Sequence, residues 1–414
     1  MQPVNLGALP LLPMEDPAFA ADPIPHFAAA RRDHPWLARW QHGPIVTNYR
    51  AVRDLMAMES RMRMPYDQLV EVMGAKGTAW GRFQESHILS RSGPGHKRIR
   101  DILAPSFTPR QANLHRPLMR ETIARLLDEW VPKGAFDFEE FSSWFPITVT
   151  CRLIGASPAV IPQIRSAMET LGLSVSMAPR LMPQLEDAIG TIDDFVHELM
   201  EERRKTPRTQ DASPDLLDLL LRAQADGGLT ERELADLLIF LFAAGFDTSK
   251  NVLTLTMYEL IDRPDIYRRC AEDPAYCRKV IDETMRFHSV TTTNRLLTED
   301  IVYRDVLLPA GTSLWFPWSV IARDPEAAEA PDSFDPDRQQ RNPHLGFALG
   351  AHICLGQFIA RAQLEEGLHQ IAQRIGNPRS PGPRAWRPFP GVWGIAGLPI
   401  TFDPQPPPIQ QAIQ

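Results

Sequence analysis

Cysteine is scarce. Cys151, Cys270, Cys277 and Cys354 are the only four in 414 residues, too few and too scattered for a disulfide framework. No C-x-x-C pair occurs, so a zinc ribbon is not expected. No G-x-G-x-x-G follows a strand, so neither a flavin nor a nicotinamide domain is visible. Met1 to Gly7 carries no basic stretch and no long apolar segment, so neither a signal peptide nor a membrane anchor is expected. Positive charge is short too. Forty-four Lys and Arg against 51 Asp and Glu leave a net charge of -7, which argues for solubility and against general nucleic-acid binding. These shortages point to a reduced, cytoplasmic protein. Gly/Ser linkers, repeats and composition shifts are lacking as well, so a single domain over 1–414 is expected, starting with an extended segment over 1–20. Proline, by contrast, is plentiful at 39, and Pro404 to Gln414 reads as a disordered tail.

What is present gathers around one stretch, from Phe347 through Gly350, His352 and Cys354 to Gly356. The run from Leu355 to Arg374 has apolar residues at roughly helical spacing, which puts Cys354 at the mouth of a helix. Unpaired N–H groups there favour a thiolate, the form that binds metals. Taken alone, the cysteine reads first as a buried structural one at a loop-to-helix junction. Thr230 and Glu233 form a capping box that opens a helix running to about Asp262. Its stretch Leu237 to Ala244 is apolar on every side and must be buried. Asp247 is out of place there and needs a partner or a purpose. His96 and Arg100 share a helix face, either a solvated basic face or a binding one. Glu283 and Arg286 are placed to pair at i,i+3. Residues 60–92 read as helix or loop about equally. Glu169 to Gln184 reads as a proline-interrupted loop. One strand over Ile301–Leu308 and another over Ser313–Phe316 are expected around a Pro309–Gly311 turn.

The pattern F-x-x-G-x-H-x-C-x-G at Phe347–Gly356 resembles the haem-binding signature of the cytochrome P-450 family. The similarity extends to A-G-F-D-T at Ala244–Thr248, E-x-x-R at Glu283–Arg286, F-D-P-D-R at Phe334–Arg338 and H-x-x-x-R at His96–Arg100. The resemblance implies a mainly α fold with a small β region, and haem between a long central helix and the Cys-loop helix. It implies haem b (iron protoporphyrin IX) ligated by Cys354. It further implies His96, Arg100 and Arg295 on the haem carboxylates, with Phe347, Gly350, His352 and Gly245 around the cofactor. Asp247 and Thr248 are the residues it implies for oxygen activation and proton delivery, with Gly245 leaving room for dioxygen. Glu283, Arg286 and Arg338 are the implied brace behind the cysteine loop, and 169–184 the implied lid. The expected activity is insertion of one atom of O2 into a small-to-medium apolar substrate, with electrons from a separate ferredoxin and its reductase. The alternatives are a peroxide-driven or non-hydroxylating haem enzyme, or a haem sensor or carrier. Ile239, Phe242, Ala243, Val290, Thr291, Thr292, Val392, Trp393 and Ile395 are expected to line the pocket, each with ordinary core as its rival. Lys97, Arg98, Arg110, Arg341 and Arg361 are expected on the face where the ferredoxin docks. Neither nucleic acid nor membrane is an expected partner.

Overall fold

A computed structural model describes residues 5–208, 213–339, 342–382 and 384–407. Helices dominate, and the longest, Glu231–Ile261, runs through the middle. It begins where the sequence says. Thr230 Oγ1 accepts the Glu233 N–H at 3.2 Å, and the Glu233 carboxylate accepts the Thr230 N–H at 3.0 Å. Among the described residues it is the one helix long and apolar enough to cross a membrane, and 67% of its apolar window is buried inside the fold. It packs on the helices Phe138–Ile154 and Gln357–Arg374. Those two helices also approach each other closely. At Gly367 a Cβ would meet the ring of Phe145 at 2.7 Å. Core residues of these helices, such as Phe145, Val149, Leu253, Leu364 and Leu368, form one apolar cluster. A second gathers around the N-terminal half of the central helix, with Ile189, Leu234, Phe242 and Phe246.

The β region is small and divided among separate sheets. Five short strands pair in the order Leu37–Trp40, Gly43–Val46, Ser313–Phe316, Thr293–Leu297 and Met62–Arg63. Three more pair in a separate sheet in the order Ala135–Asp137, Pro399–Pro404 and Ile375–Arg379. Ile301–Leu308 is not one strand but a hairpin, Ile301–Tyr303 against Val306–Leu308. Arg304 and Asp305 both take positive φ, 46° and 63°, the backbone of a tight turn that reverses the chain. The 60–92 stretch resolves into two short helices, Tyr66–Val72 and Ala79–Ser86, joined by loops.

Those short helices are tied to the segment over 169–184. Trp80 Nε1 donates to Ser174 Oγ at 3.1 Å. Glu186, in the next helix (Met182–Lys205), accepts the N–H groups of Ala79 and Trp80. Residues 169–184 themselves pass from the end of the helix Ile161–Leu171 through two 3₁₀ turns, as their prolines suggest. The start of the chain is not extended throughout. Leu6–Ala8 forms a 3₁₀ turn and Pro17–Ala21 a short helix, started by Asp16 and Pro17. At the other end, Pro404 closes a strand and the Gln405 N–H bonds to Arg374 O at 2.9 Å, so order extends into the expected tail. Residues 408–414 lie outside the described residues.

Candidate active site

A cavity of about 320 Å³ opens between the central helix and the loop that carries Cys354. Cys354, His352, Phe347, Leu355 and Gly356 form one wall, and Ala244, Gly245 and Thr248 form the facing one. His96 and Arg100, four apart on the helix Gly93–Leu103, enter it together. Gly93 starts that helix at φ +57°, and Pro94 follows in the first turn, where its missing N–H is no loss.

The cysteine loop is shaped by its own backbone. The Cys354 N–H donates to Phe347 O at 2.9 Å, and Ala348 and Gly350 sit at φ +58° and +80°. The Phe347 ring lies under the guanidinium of Arg361, 5.0 Å from its centre. The helix after the loop starts at Gln357, three residues past the sulfur, so Cys354 stands before its first turn rather than in it. Burial therefore wins and raises the thiol pKa, against the Gly356 N–H and the charge of Arg100. This corrects the expectation that the helix mouth alone holds a thiolate. A metal ion bound by such a thiol deprotonates it outright.

Three polar groups at the rim lack what they need. Nε2 of His96 and Nδ1 of His352 are buried without a hydrogen-bond partner. Their rings lie 4.2 Å apart, and burial lowers the pKa of both, His352 to about 3. Both are neutral near pH 7. Arg100 Nη2 donates to Ile353 O at 2.7 Å and has no carboxylate partner among the described residues. A buried polar atom left unpaired costs about 1–3 kcal/mol, so the rim is built for a ligand with acceptor groups. A haem carboxylate fits that need, and the cavity's apolar walls and facing sulfur fit the macrocycle and its iron. Arg295 differs. It is 2% exposed, and its Nε lies 3.3 Å from Glu59.

On the facing helix, Thr248 Oγ1 donates to Ala244 O at 2.9 Å, loosening the last apolar turn over the cavity. At Gly245 a Cβ would stand 2.8 Å from Thr150 Oγ1 of the neighbouring helix. Close helix approach, not only room on the cavity side, therefore requires glycine. Asp247 points away from the cavity. It accepts from Arg387 Nη1 at 3.1 and 3.2 Å and from Asn251 Nδ2 at 3.1 Å. Lys250, fully buried, lies 3.1 Å from Asp247 and 2.7 Å from Glu139, in contacts poorly aligned for hydrogen bonds. Arg387 Nη2 reaches the same Glu139 at 3.1 Å. Two carboxylates and two cations thus form a neutral buried cluster.

The pocket expectation was one residue out of phase along the central helix. Ile239 and Phe242 are fully buried core, and Ala243 packs against that core. Phe240 and Leu241 line the cavity instead. An all-apolar helix gives no polar face from which to set the phase. Val290 and Thr291 line it as expected, whereas Thr292 faces a smaller neighbouring cleft beside Met64, Tyr66 and Met177. Trp393 and Ile395 are core, and Val392 bridges to Thr291 through the backbone rather than lining the space.

Behind the cysteine loop, Arg286 holds Glu283 through two bonds of 2.7 and 2.8 Å, both side chains buried. Arg338 Nε adds a third at 3.2 Å, and the Asp335 N–H a fourth at 2.8 Å. Both arginines also donate to Ser333 O, fixing the 329–338 segment. Glu59, Glu139, Lys250 and Arg387 went unread in the sequence. Lys250 carried a signal, a lone cation three residues past a buried Asp, but Glu59 and Arg387 meet their partners across more than 100 residues.

Comparison with known proteins agrees with this geometry. The family model of cytochrome P450 matches residues 173–375. Luteothin monooxygenase of Streptomyces thioluteus is 31% identical over 95% of this chain and 96% of its own length. Pentalenic acid synthase of Streptomyces avermitilis is 30% identical over 86% of this chain and 88% of its own. Epothilone B-bound cytochrome P450epoK superposes with a TM-score of 0.85 at 22% identity, over 95% of this chain and 100% of that one, and so shares the fold.

Proposed function

The chain belongs to the cytochrome P450 family of haem-dependent monooxygenases, and from that premise we propose that Cys354 is the axial ligand of haem b in a cytoplasmic, ferredoxin-fed hydroxylase built as one domain. The observation that carries this reading is the convergence of Cys354, His96, Arg100, His352 and Thr248 on one cavity. Thiolate-ligated haem supplies the oxidising chemistry, cleavage of the O–O bond. The protein's residues bind, orient and exclude.

Arg100 and the unpaired Nε2 of His96 take one haem carboxylate, with Nδ1 of His352 beside them. Arg295 takes the other. Phe347 and Gly245 line the two walls that would hold the ring, and Gly350 shapes the loop between Phe347 and Cys354. Glu283, Arg286 and Arg338 brace the segment that leads into the cysteine loop. Phe240, Leu241, Val290 and Thr291 give the substrate an apolar wall with a few hydroxyls. That wall suits a small-to-medium apolar organic molecule, and the names luteothin monooxygenase and pentalenic acid synthase agree with an organic substrate of that kind. Thr248 gives up its bond to Ala244 O to hold a proton at the oxygen-binding face. Asp247 hands protons toward Thr248 when it exchanges its bonds to Arg387 and Lys250. One oxygen atom enters the substrate and the other leaves as water, with electrons from ferredoxin and its reductase.

Turnover under labelled dioxygen tests this. With ferredoxin, reductase and NADH, the product should carry one labelled oxygen. Label absent from the product, or product formed only with hydrogen peroxide, contradicts the proposal.

A further inference from the structure

Glu59 sits where two parts of the site meet. Its Oε2 accepts the backbone N–H of Ala351 at 2.5 Å, three residues before Cys354. Its Oε1 lies 3.3 Å from Nε of Arg295, on the strand Thr293–Leu297. A side chain on Gly350 would run into the same carboxylate, so the loop closes on Glu59 at that point. Glu59 is itself largely covered, its side chain 13% exposed. Among the described residues, Arg295 makes its bonds through Nε and Nη1, which leaves Nη2 for a ligand. Arg100 lines the cavity, while Arg295 and Glu59 stand outside its lining but close enough to act on the charges of His352 and His96.

We propose that Glu59 is a positioning residue for the haem: it clamps the cysteine loop to the sheet through Ala351 and Arg295, and sets one half-buried negative charge beside the arginine that would hold a haem carboxylate. The inference rests on the reading of Cys354 as haem ligand. It goes beyond that reading by assigning a carboxylate to the haem's charge environment. Reduction adds an electron to the haem, and a nearby anion opposes that gain. Because Glu59 is largely covered, salt screens the effect less than at a fully exposed site. Glu59 therefore holds the reduction potential down, while its bond to Ala351 keeps the loop in place.

Two variants of the haem-loaded protein separate charge from clamp. Glu59→Gln keeps an oxygen for the Ala351 N–H and removes the charge. Its midpoint potential should move to more positive values, while the carbonyl band of the reduced protein lasts as long as in the parent. Glu59→Ala removes both. Its midpoint should move the same way, and its thiolate-type carbonyl band should decay roughly tenfold faster, as the loss of one charge-assisted hydrogen bond implies. Unmoved midpoints in both variants overturn the charge role, and parental band persistence in Glu59→Ala overturns the clamp. A parent without a thiolate-type band sinks the haem-thiolate reading and this inference together. A parent with the band but inert variants sinks Glu59 alone.

Discussion

Thr248 is a polar side chain of the central helix on the cavity opposite the cysteine loop, next to Ser249, and its hydroxyl donates to its own helix. Thr248→Ala should bind haem and substrate normally but waste electrons. Hydrogen peroxide formed per NADH consumed should rise several-fold, since a positioned proton donor contributes about 10²-fold or more. Unchanged coupling would remove Thr248 from the proton path. Buried histidines make a second prediction at this scale. Burial pushes His87 down to about 3 and His344 to about 4, from an ordinary 6.5. Each is neutral in the fold and charges on unfolding, so the unfolded chain binds more protons below pH 6.5. Stability is then full above pH 6.5 and falls as pH drops toward 4, by up to ~1.4 kcal/mol per unit for each histidine. Urea unfolding at stepped pH should show that slope, and His87→Gln should reduce it by about one proton. An unaltered slope in His87→Gln would mean His87 is already charged in the fold.

Elements are held together at their crossings by charge as well as by apolar packing. The cluster of Glu139, Asp247, Lys250 and Arg387 joins the central helix to its neighbour and to the C-terminal segment. Removing one cation leaves a net buried charge, so Arg387→Met should destabilise the fold by ~3–5 kcal/mol. Adding Glu139→Gln restores neutrality and should recover part of that loss. Additive losses in the double variant would show that the four groups do not act as one cluster. The elements themselves were legible in the sequence wherever the signal was local. The Thr230–Glu233 capping box marked the helix start, and the His96–Arg100 spacing marked the shared face. The hairpin at Ile301–Leu308 was missed because Arg304 and Asp305 are not the glycine or asparagine usual in such a turn. The pocket phase was missed because Leu237–Ala244 has no polar side. Glu59 was missed because its partners, Arg295 and Ala351, lie more than 230 residues away.

Across the whole molecule, few of the basic residues expected to meet a ferredoxin stand free of ion pairs. Arg361 is paired with Asp282, Arg98 with Glu233 and Lys97 with Asp101, while Arg341 lies outside the described residues. Arg110 stays exposed and takes part in no ion pair among the described residues. Leu114 and Phe358, exposed at 62% and 37%, offer apolar contacts on the two packed helices Pro109–Trp130 and Gln357–Arg374. On the proposal that an acidic ferredoxin docks there, Arg110→Glu should raise its apparent KM several-fold. Salt should weaken the encounter, since exposed charges are screened within about 10 Å at 0.1 M. A reduction rate indifferent to both would move the docking surface elsewhere. Everything proposed for the molecule depends on one sulfur. The carbonyl difference spectrum of the reduced protein tests it most directly, across the four cysteine variants. Cys151→Ala, Cys270→Ala and Cys277→Ala should keep the thiolate-type band, and Cys354→Ala should lose it. A Cys354→Ala protein that keeps the band would contradict the account at its centre.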